Sequence, residues 1–93
     1  MEYVISVDLG GTKITTCLVS EKGKVFEGIR TVTDAKEGRQ KVLDNICSSI
    51  ESLIKKKGVR ISGIGIGIPG FVDSKGKIVF MPNIPLVGFN IKN

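Results

Sequence analysis

The segment Asp8-Leu-Gly-Gly-Thr-Lys13 brings together a carboxylate, two adjacent glycines, a hydroxyl and an amine. It follows an alternating apolar run, Tyr3 to Leu9, which reads as a strand with Ile5, Val7 and Leu9 on one face and Asp8 on the other, near the strand's end. Glycines let backbone N–H groups converge on an anion without obstruction by side chains. Gly10 and Gly11 would supply such amides, Thr12 a hydroxyl donor and Lys13 a positive charge for a phosphate. Asp8 would hold a hydrated Mg2+, which takes one or two carboxylates and keeps several waters. A bare diglycine also makes a plain hairpin turn, which Asp8 could cap. The Asp before it and the Thr-Lys after it favour phosphate binding. This is not a P-loop: the GxxxxGK[ST] spacing is absent, and a strand rather than a helix follows.

A second motif, Gly65-Ile-Gly-Ile-Pro-Gly70, is a literal GxGxxG. A dinucleotide fingerprint must open a helix, whereas Pro69 and a hairpin signal follow here, and no acidic residue lies about 20 positions on. It is therefore not read as a nucleotide site. The chain has no histidine, so it cannot by itself build a Ser-His-Asp triad, a Cys-His pair or a His-ligated metal. Its two cysteines, Cys17 and Cys47, match no zinc spacing and are expected to be buried, reduced thiols, which suits a cytoplasmic protein. Glu2 follows Met1 in place of a basic, then apolar, leader, so no signal peptide is expected. The uncharged stretch Ile78 to Ile91 is interrupted by Pro82 and Pro85 and is too short to span a bilayer, which takes about 20 residues. The net charge of +5 is spread out, and its only run, Lys55-Lys56-Lys57, sits where a helix C-terminus favours cations. The aromatics are not interleaved with basic residues, which argues against nucleic-acid binding.

These residues need elements to position them. After the first strand, Ile14 to Val19 and Val25 to Val32 read as two more strands joined by tight turns, an antiparallel meander. The apolar period then changes to about 3.6: Val42, Leu43, Ile46, Cys47, Ile50, Leu53 and Ile54 form one stripe. With Asp34 and Glu37 at capping-box spacing and Gly58 as the stop, the spacing predicts a helix over Ala35 to Lys57. Ile61 to Ile68 reads as a buried strand with Ile64, Ile66 and Ile68 on one face and Gly63, Gly65 and Gly67 on the other. The glycine face would admit a helix or a ligand closely; with the helix there, the isoleucine face would be left wet. A further hairpin turns at Asp73-Ser74-Lys75-Gly76, a local echo of Ser20-Glu21-Lys22-Gly23, and the remainder from Pro82 reads as loop.

Taken together, Asp8 to Lys13 and the later run Gly65 to Asp73, Lys75-Gly76 and Met81-Pro-Asn-Ile-Pro85 resemble the N-terminal lobe of the ROK family (repressor, open reading frame, kinase). These are sugar kinases and sugar-responsive repressors of the actin-like ATPase superfamily, and the resemblance covers essentially the whole chain in order. It implies an α/β fold: a ribonuclease-H-like lobe whose mixed sheet has its first three strands antiparallel, a crossover helix, the fourth strand parallel to the first, and the further hairpin. Residues 1–93 would then be one lobe of a larger two-lobe kinase.

The resemblance implies ATP on Gly10, Gly11, Thr12 and Lys13, and Mg2+ held through water by Asp8. It places a sugar near Gly70 and Phe71 and near Asn83. The implied reaction is ATP-dependent phosphorylation of a hexose or N-acetylhexosamine hydroxyl. The family's catalytic base, an Asp in an Asn-Asp pair, falls beyond the position of Asn93, as do its Glu-x-x-His sugar contacts, its zinc loop and its adenosine lobe. No catalytic residue is therefore expected in this chain, which alone should be inactive. Sugar and ATP are the implied partners, with assembly as a homo-oligomer and no membrane. The alternative is the sensing lobe of a ROK-type repressor. Those repressors carry a DNA-binding helix-turn-helix ahead of the Asp-Leu-Gly-Gly-Thr-Lys strand, and the closeness of Met1 to that strand favours the kinase.

Overall fold

A computed structural model describes residues 2–58 and 60–92. Four strands, β1 (Tyr3–Leu9), β2 (Lys13–Ser20), β3 (Val25–Val32) and β4 (Ile61–Gly67), form one sheet in the order β3-β2-β1-β4. The pairs β1–β2 and β2–β3 are antiparallel, and β4 runs parallel to β1. The helix α1 (Arg39–Lys57) is the crossover that the parallel pair requires. A short hairpin of β5 (Phe71–Val72) and β6 (Ile78–Phe80) stands apart from the main sheet. This is the expected mixed sheet.

The local echo in the sequence is a shared turn. The Ser20 N–H donates to the Lys24 carbonyl at 2.9 Å and the Gly23 N–H to the Ser20 carbonyl at 2.9 Å. Asp73, Lys77 and Gly76 repeat those bonds at 2.9 and 3.1 Å. Gly23 and Gly76 have φ of 84° and 89°, the left-handed position that closes a three-residue hairpin loop. The Ser20 hydroxyl and the Asp73 carboxylate each accept the N–H four residues on, from Lys24 and Lys77.

The helix is shorter than the spacing predicts. Ala35–Glu37 is a single 3-10 turn, and Gly38, at φ 98° and ψ 171°, breaks the chain before α1 begins at Arg39. Asp34 is not a helix cap. Its backbone is left-handed (φ 57°), and its carboxylate caps nothing. The Asn45 side-chain amide instead donates to it at 3.0 Å. The C-terminus is as expected: Gly58 is left-handed, and its N–H donates to the Ile54 carbonyl at 2.9 Å.

The faces of β4 are the reverse of the expectation. Parallel pairing sets Ile64 beside Ile5 and Ile66 beside Val7, so the isoleucines share the buried face of β1. Gly63, Gly65 and Gly67 pair with Val4, Ser6 and Asp8 on the other face. The helix therefore lies on the isoleucine side, and matching apolar to apolar across the pair decides this, yet Ile64 remains 51% exposed, so the expected wetness of that face persists in part. Coverage is incomplete. The helix lies over β2 and β3, and an open apolar trough of about 640 Å³ remains between Leu43, Ile46 and Ile50 of α1 and Ile64 and Ile66 of β4. The core is completed by the irregular tail, whose Met81, Ile84 and Leu86 are buried beside Ile5, Leu18 and Leu53. Both cysteines are free as expected, but Cys17 is only half-buried and Cys47 is exposed, because it sits on the flank of α1 beside the trough.

A fully buried hydroxyl pair crosses the sheet–helix interface. Thr16 and Ser49 are both buried, with their hydroxyl oxygens 2.8 Å apart. The Ser49 hydroxyl donates to the Ile46 carbonyl at 2.8 Å, so Thr16 is the donor in the pair. Ser49→Ala strands the Thr16 hydroxyl, and we expect a loss of about 1–3 kcal/mol. Thr16→Val combined with Ser49→Ala should recover most of that loss in urea unfolding. An additive double variant would mean that the two hydroxyls do not interact.

A pH dependence follows from two carboxylates. Hydrogen bonds from Lys56 and then Lys57 hold the Glu27 carboxyl below the usual range, and the N–H groups of Lys77 and then Lys75 do the same for Asp73. Both are depressed in the folded chain. Their contribution is therefore present above the unfolded values, about 4, and is lost as pH falls through the folded ones. The stability difference between the wild type and a Glu27→Gln/Asp73→Asn variant should be small, because Asp73 is exposed and the half-buried Glu27 pairs with lysines that reach solvent. It should be largest at neutral pH and vanish toward pH ~2, as read by unfolding across a pH series.

Candidate functional site

The turn Gly10–Lys13 joins β1 to β2 and is closed by the Gly10 N–H donating to the Lys13 carbonyl at 2.9 Å. Its two glycines serve different purposes. Neither has a positive φ. A Cβ on Gly10 would lie 2.9 Å from the Lys13 carbonyl oxygen, so the turn itself excludes a side chain there. A Cβ on Gly11 would meet nothing within 4 Å. The fold leaves Gly11 open on its outer side.

The turn is held from behind by Thr33, a fully buried residue just past β3. Its hydroxyl donates to the Gly10 carbonyl at 2.7 Å, and its N–H donates to the Thr12 carbonyl at 2.9 Å. Sequence reasoning missed this residue. The signal available was indirect: two carbonyls of a tight turn need donors, and a Thr at the end of the adjacent strand can supply two.

Gly11 and Thr12 form one wall of a cleft of about 680 Å³. Asp34 and Glu37, after β3, form another, and Asn83 closes it. The structure thus brings Asn83 to one cleft with the Gly10–Lys13 turn, about seventy residues away in sequence. Asn83 is left-handed (φ 67°), as is Asp34 across the cleft. Asn and Asp are the non-glycine side chains that tolerate that region, so both turns suit their residues. The tail that carries Asn83 is pinned by the buried Met81, Ile84 and Leu86 and by Arg39, at the start of α1, whose guanidinium donates to the carbonyls of Pro85 and Val87.

The remaining candidates do not line this cleft. Asp8 is exposed on the open glycine face of the sheet, beside Gly67. A Cβ on Gly67 would sit 3.9 Å from the Asp8 Oδ1. Among the described residues no ion pair engages Asp8. Lys13 is exposed at the start of β2. Gly70 has a packing reason to be glycine: a Cβ there would fall 2.0 Å from the Phe80 carbonyl oxygen. Phe71 is 65 % exposed, and its ring lies 5.8 Å from that of Phe80 across the β5–β6 hairpin. No cluster of three or more His, Cys, Asp or Glu side chains occurs among the described residues. These residues therefore do not form an all-protein metal cage.

The two glycines make a direct test of this geometry. Gly10→Ala should lower stability by about 1–3 kcal/mol, because backbone must shift. Gly11→Ala should be neutral or raise it by about 0.4–1 kcal/mol, by restricting the unfolded chain. Equal losses in urea unfolding would contradict the open position of Gly11.

The ROK family profile matches residues 4–93. The glucokinase of Thermotoga maritima is 39% identical over 83 residues, spanning 88% of this chain and 26% of that protein. Among solved structures, a ROK family glucokinase from Streptomyces griseus in complex with glucose and AMPPNP matches with a TM-score of 0.84 and 31% identity, over 97% of this chain and 28% of that one. The ROK hexokinase from Thermus thermophilus matches with a TM-score of 0.83 and 33% identity, over 97% of this chain and 30% of that one. The chain thus spans about a quarter of the length of the curated relatives it matches. Its mixed sheet with parallel β1 and β4 is that of the actin-like sugar kinases, and by sequence and fold together the chain belongs to the ROK family.

Proposed function

We propose that this chain is the phosphate-binding lobe, with part of the sugar cleft, of a longer ATP-dependent kinase that phosphorylates a hydroxyl of a hexose or N-acetylhexosamine in the cytoplasm. The observation that carries the reading is the open Gly11 in a turn whose carbonyls are held inward, in one cleft with Asn83. In the described residues no helix is long and apolar enough to cross a membrane. The likeness to sugar kinases in sequence and fold supports the substrate class.

The donor set fits both groups. The Gly10 N–H is taken by the turn's own bond to the Lys13 carbonyl, which leaves the Gly11 and Thr12 amides to form a cradle that a side chain at Gly11 would fill, and phosphate oxygens accept from such amides. The Lys13 ammonium adds charge where charge on the transferring phosphoryl group must be balanced. Asp8 offers a single hard oxygen ligand with no ion-pair partner among the described residues, which suits Mg2+ on a nucleotide, since Mg2+ keeps waters and phosphate oxygens as its other ligands. Mg2+ when bound would neutralise phosphate charge. On the other side of the cleft the Asn83 amide can donate to and accept from a sugar hydroxyl. Gly70 and Phe71 flank the sugar from the β5–β6 side, where Gly70 admits the close approach of β6 and the exposed Phe71 ring offers an apolar face. The residues of this chain thus bind and orient. We assign the base that takes the hydroxyl's proton to the part of the kinase outside this chain, so the 93 residues alone should not turn over.

In the full-length kinase, Gly11→Val should leave the fold intact and abolish ATP binding in calorimetry. Unchanged nucleotide affinity in the folded variant would refute the phosphate assignment. Asp8→Asn should spare sugar binding, lower kcat and alter the Mg2+ requirement. Wild-type turnover at limiting Mg2+ would remove Asp8 from the site.

A further inference from the structure

We propose that Thr33, braced by Asn45, is a positioning residue that sets the direction of the amides in the phosphate turn, an inference that rests on the reading of that turn given above. Thr33 is fully buried, yet both of its donors go to the turn, the hydroxyl to the Gly10 carbonyl at 2.7 Å and the N–H to the Thr12 carbonyl at 2.9 Å. All described peptide bonds are trans. In a trans peptide the C=O and the following N–H point in opposite directions. Drawing the Gly10 carbonyl inward therefore turns the Gly11 N–H outward, and drawing the Thr12 carbonyl inward does the same for the Lys13 N–H. The outward side at Gly11 is the one that a side chain would find empty.

Thr33 is held in turn from the helix. The Asn45 side-chain amide of α1 donates to the Val32 carbonyl at 3.2 Å, the Thr33 carbonyl at 3.3 Å and the Asp34 carboxylate at 3.0 Å. Val32 and Asp34, on either side of Thr33, line the same cleft as Gly11 and Thr12. One relay thus runs from α1 through Asn45 and Thr33 to the turn. Without the Thr33 hydroxyl the Gly10 carbonyl loses its donor, and a carbonyl in that state gains by rotating toward another. That rotation carries the Gly11 N–H with it and misaligns the cradle without removing any group that touches phosphate.

The test uses Thr33→Val, which keeps the shape and deletes the donor, Thr33→Ser, which restores it, and Asn45→Ala. All are made in the full-length kinase beside Gly11→Val. Thr33→Val should raise the KM for ATP about tenfold, the cost of one hydrogen bond to a charged group, with the KM for sugar unchanged. Thr33→Ser should return it to within about twofold, and Asn45→Ala should raise the KM for ATP severalfold with the sugar KM again unchanged. An ATP KM at the wild-type value in Thr33→Val overturns the proposal, as does a parallel rise of both KM values that tracks loss of thermal stability. If Thr33→Val does not accumulate folded, Asn45→Ala decides by the same criteria. If Gly11→Val binds ATP normally, the phosphate reading fails. If Gly11→Val loses ATP while the Thr33 and Asn45 variants do not, only the positioning role fails.

Discussion

The parallel pairing of β1 with β4 is the constraint from which the rest of the structure follows. Parallel strands need a crossover, and the crossover must lie on a face that is apolar on both strands. The register that sets Ile64 beside Ile5 and Ile66 beside Val7 makes one such face, and α1 occupies it. The same register gathers Ser6, Asp8 and the three glycines of β4 on the opposite face. Parallel strands also end at the same edge. The turn after β1 and the Pro69-Gly70 corner after β4 therefore emerge side by side, although more than fifty residues separate them in sequence. Ligands of open α/β sheets favour that carboxyl edge.

The far wall of the site depends on a segment with almost no regular structure. Past β6 the chain is held by buried side chains and by backbone bonds: the Gly88 N–H donates to the Ile78 carbonyl at 2.8 Å, and the Ile78 N–H to the Phe89 carbonyl at 2.9 Å. Arg39 adds a clamp from the first residue of α1. Gly38, which breaks the helix one residue earlier, thereby determines where that clamp stands. An irregular segment fixed in this way holds the left-handed turn at Asn83 in one place against the cleft.

Much of this was legible in the residues. The alternation of Ile5, Val7 and Leu9 against Asp8, the stripe from Val42 to Leu53 and the repeated Gly-Lys hairpin turns each have a local cause, and each forms as read. What escaped is non-local. The face of β4 depends on its partner strand, because Gly63 to Ile68 alternates cleanly either way. The start of the helix failed because Asp34 and Glu37 match a capping pattern, while Gly38 and the Asn45 amide offer a competing arrangement. Cys47 carries the helical period yet is exposed, because the stripe is wider than the surface that covers it. Thr33 and Arg39 could not be singled out, since their roles consist of bonds to carbonyls distant in sequence.

Three glycines around the cleft separate what the fold demands from what it leaves free. Gly70 is required where the β6 backbone passes close by, and Gly10 is required by the carbonyl that closes its own turn. Gly11 is under neither demand, since its φ is ordinary and its outer side is empty. Glycine at such a position costs stability relative to alanine, through the freedom it gives the unfolded chain. A fold does not need that cost, but a ligand that must touch the backbone does. In the function proposed above, the phosphate would meet the backbone at this one residue, Gly11, whose side chain the structure would accept. Thr33 and Asn45 supply the complementary half, holding still a backbone that glycine would otherwise leave loose.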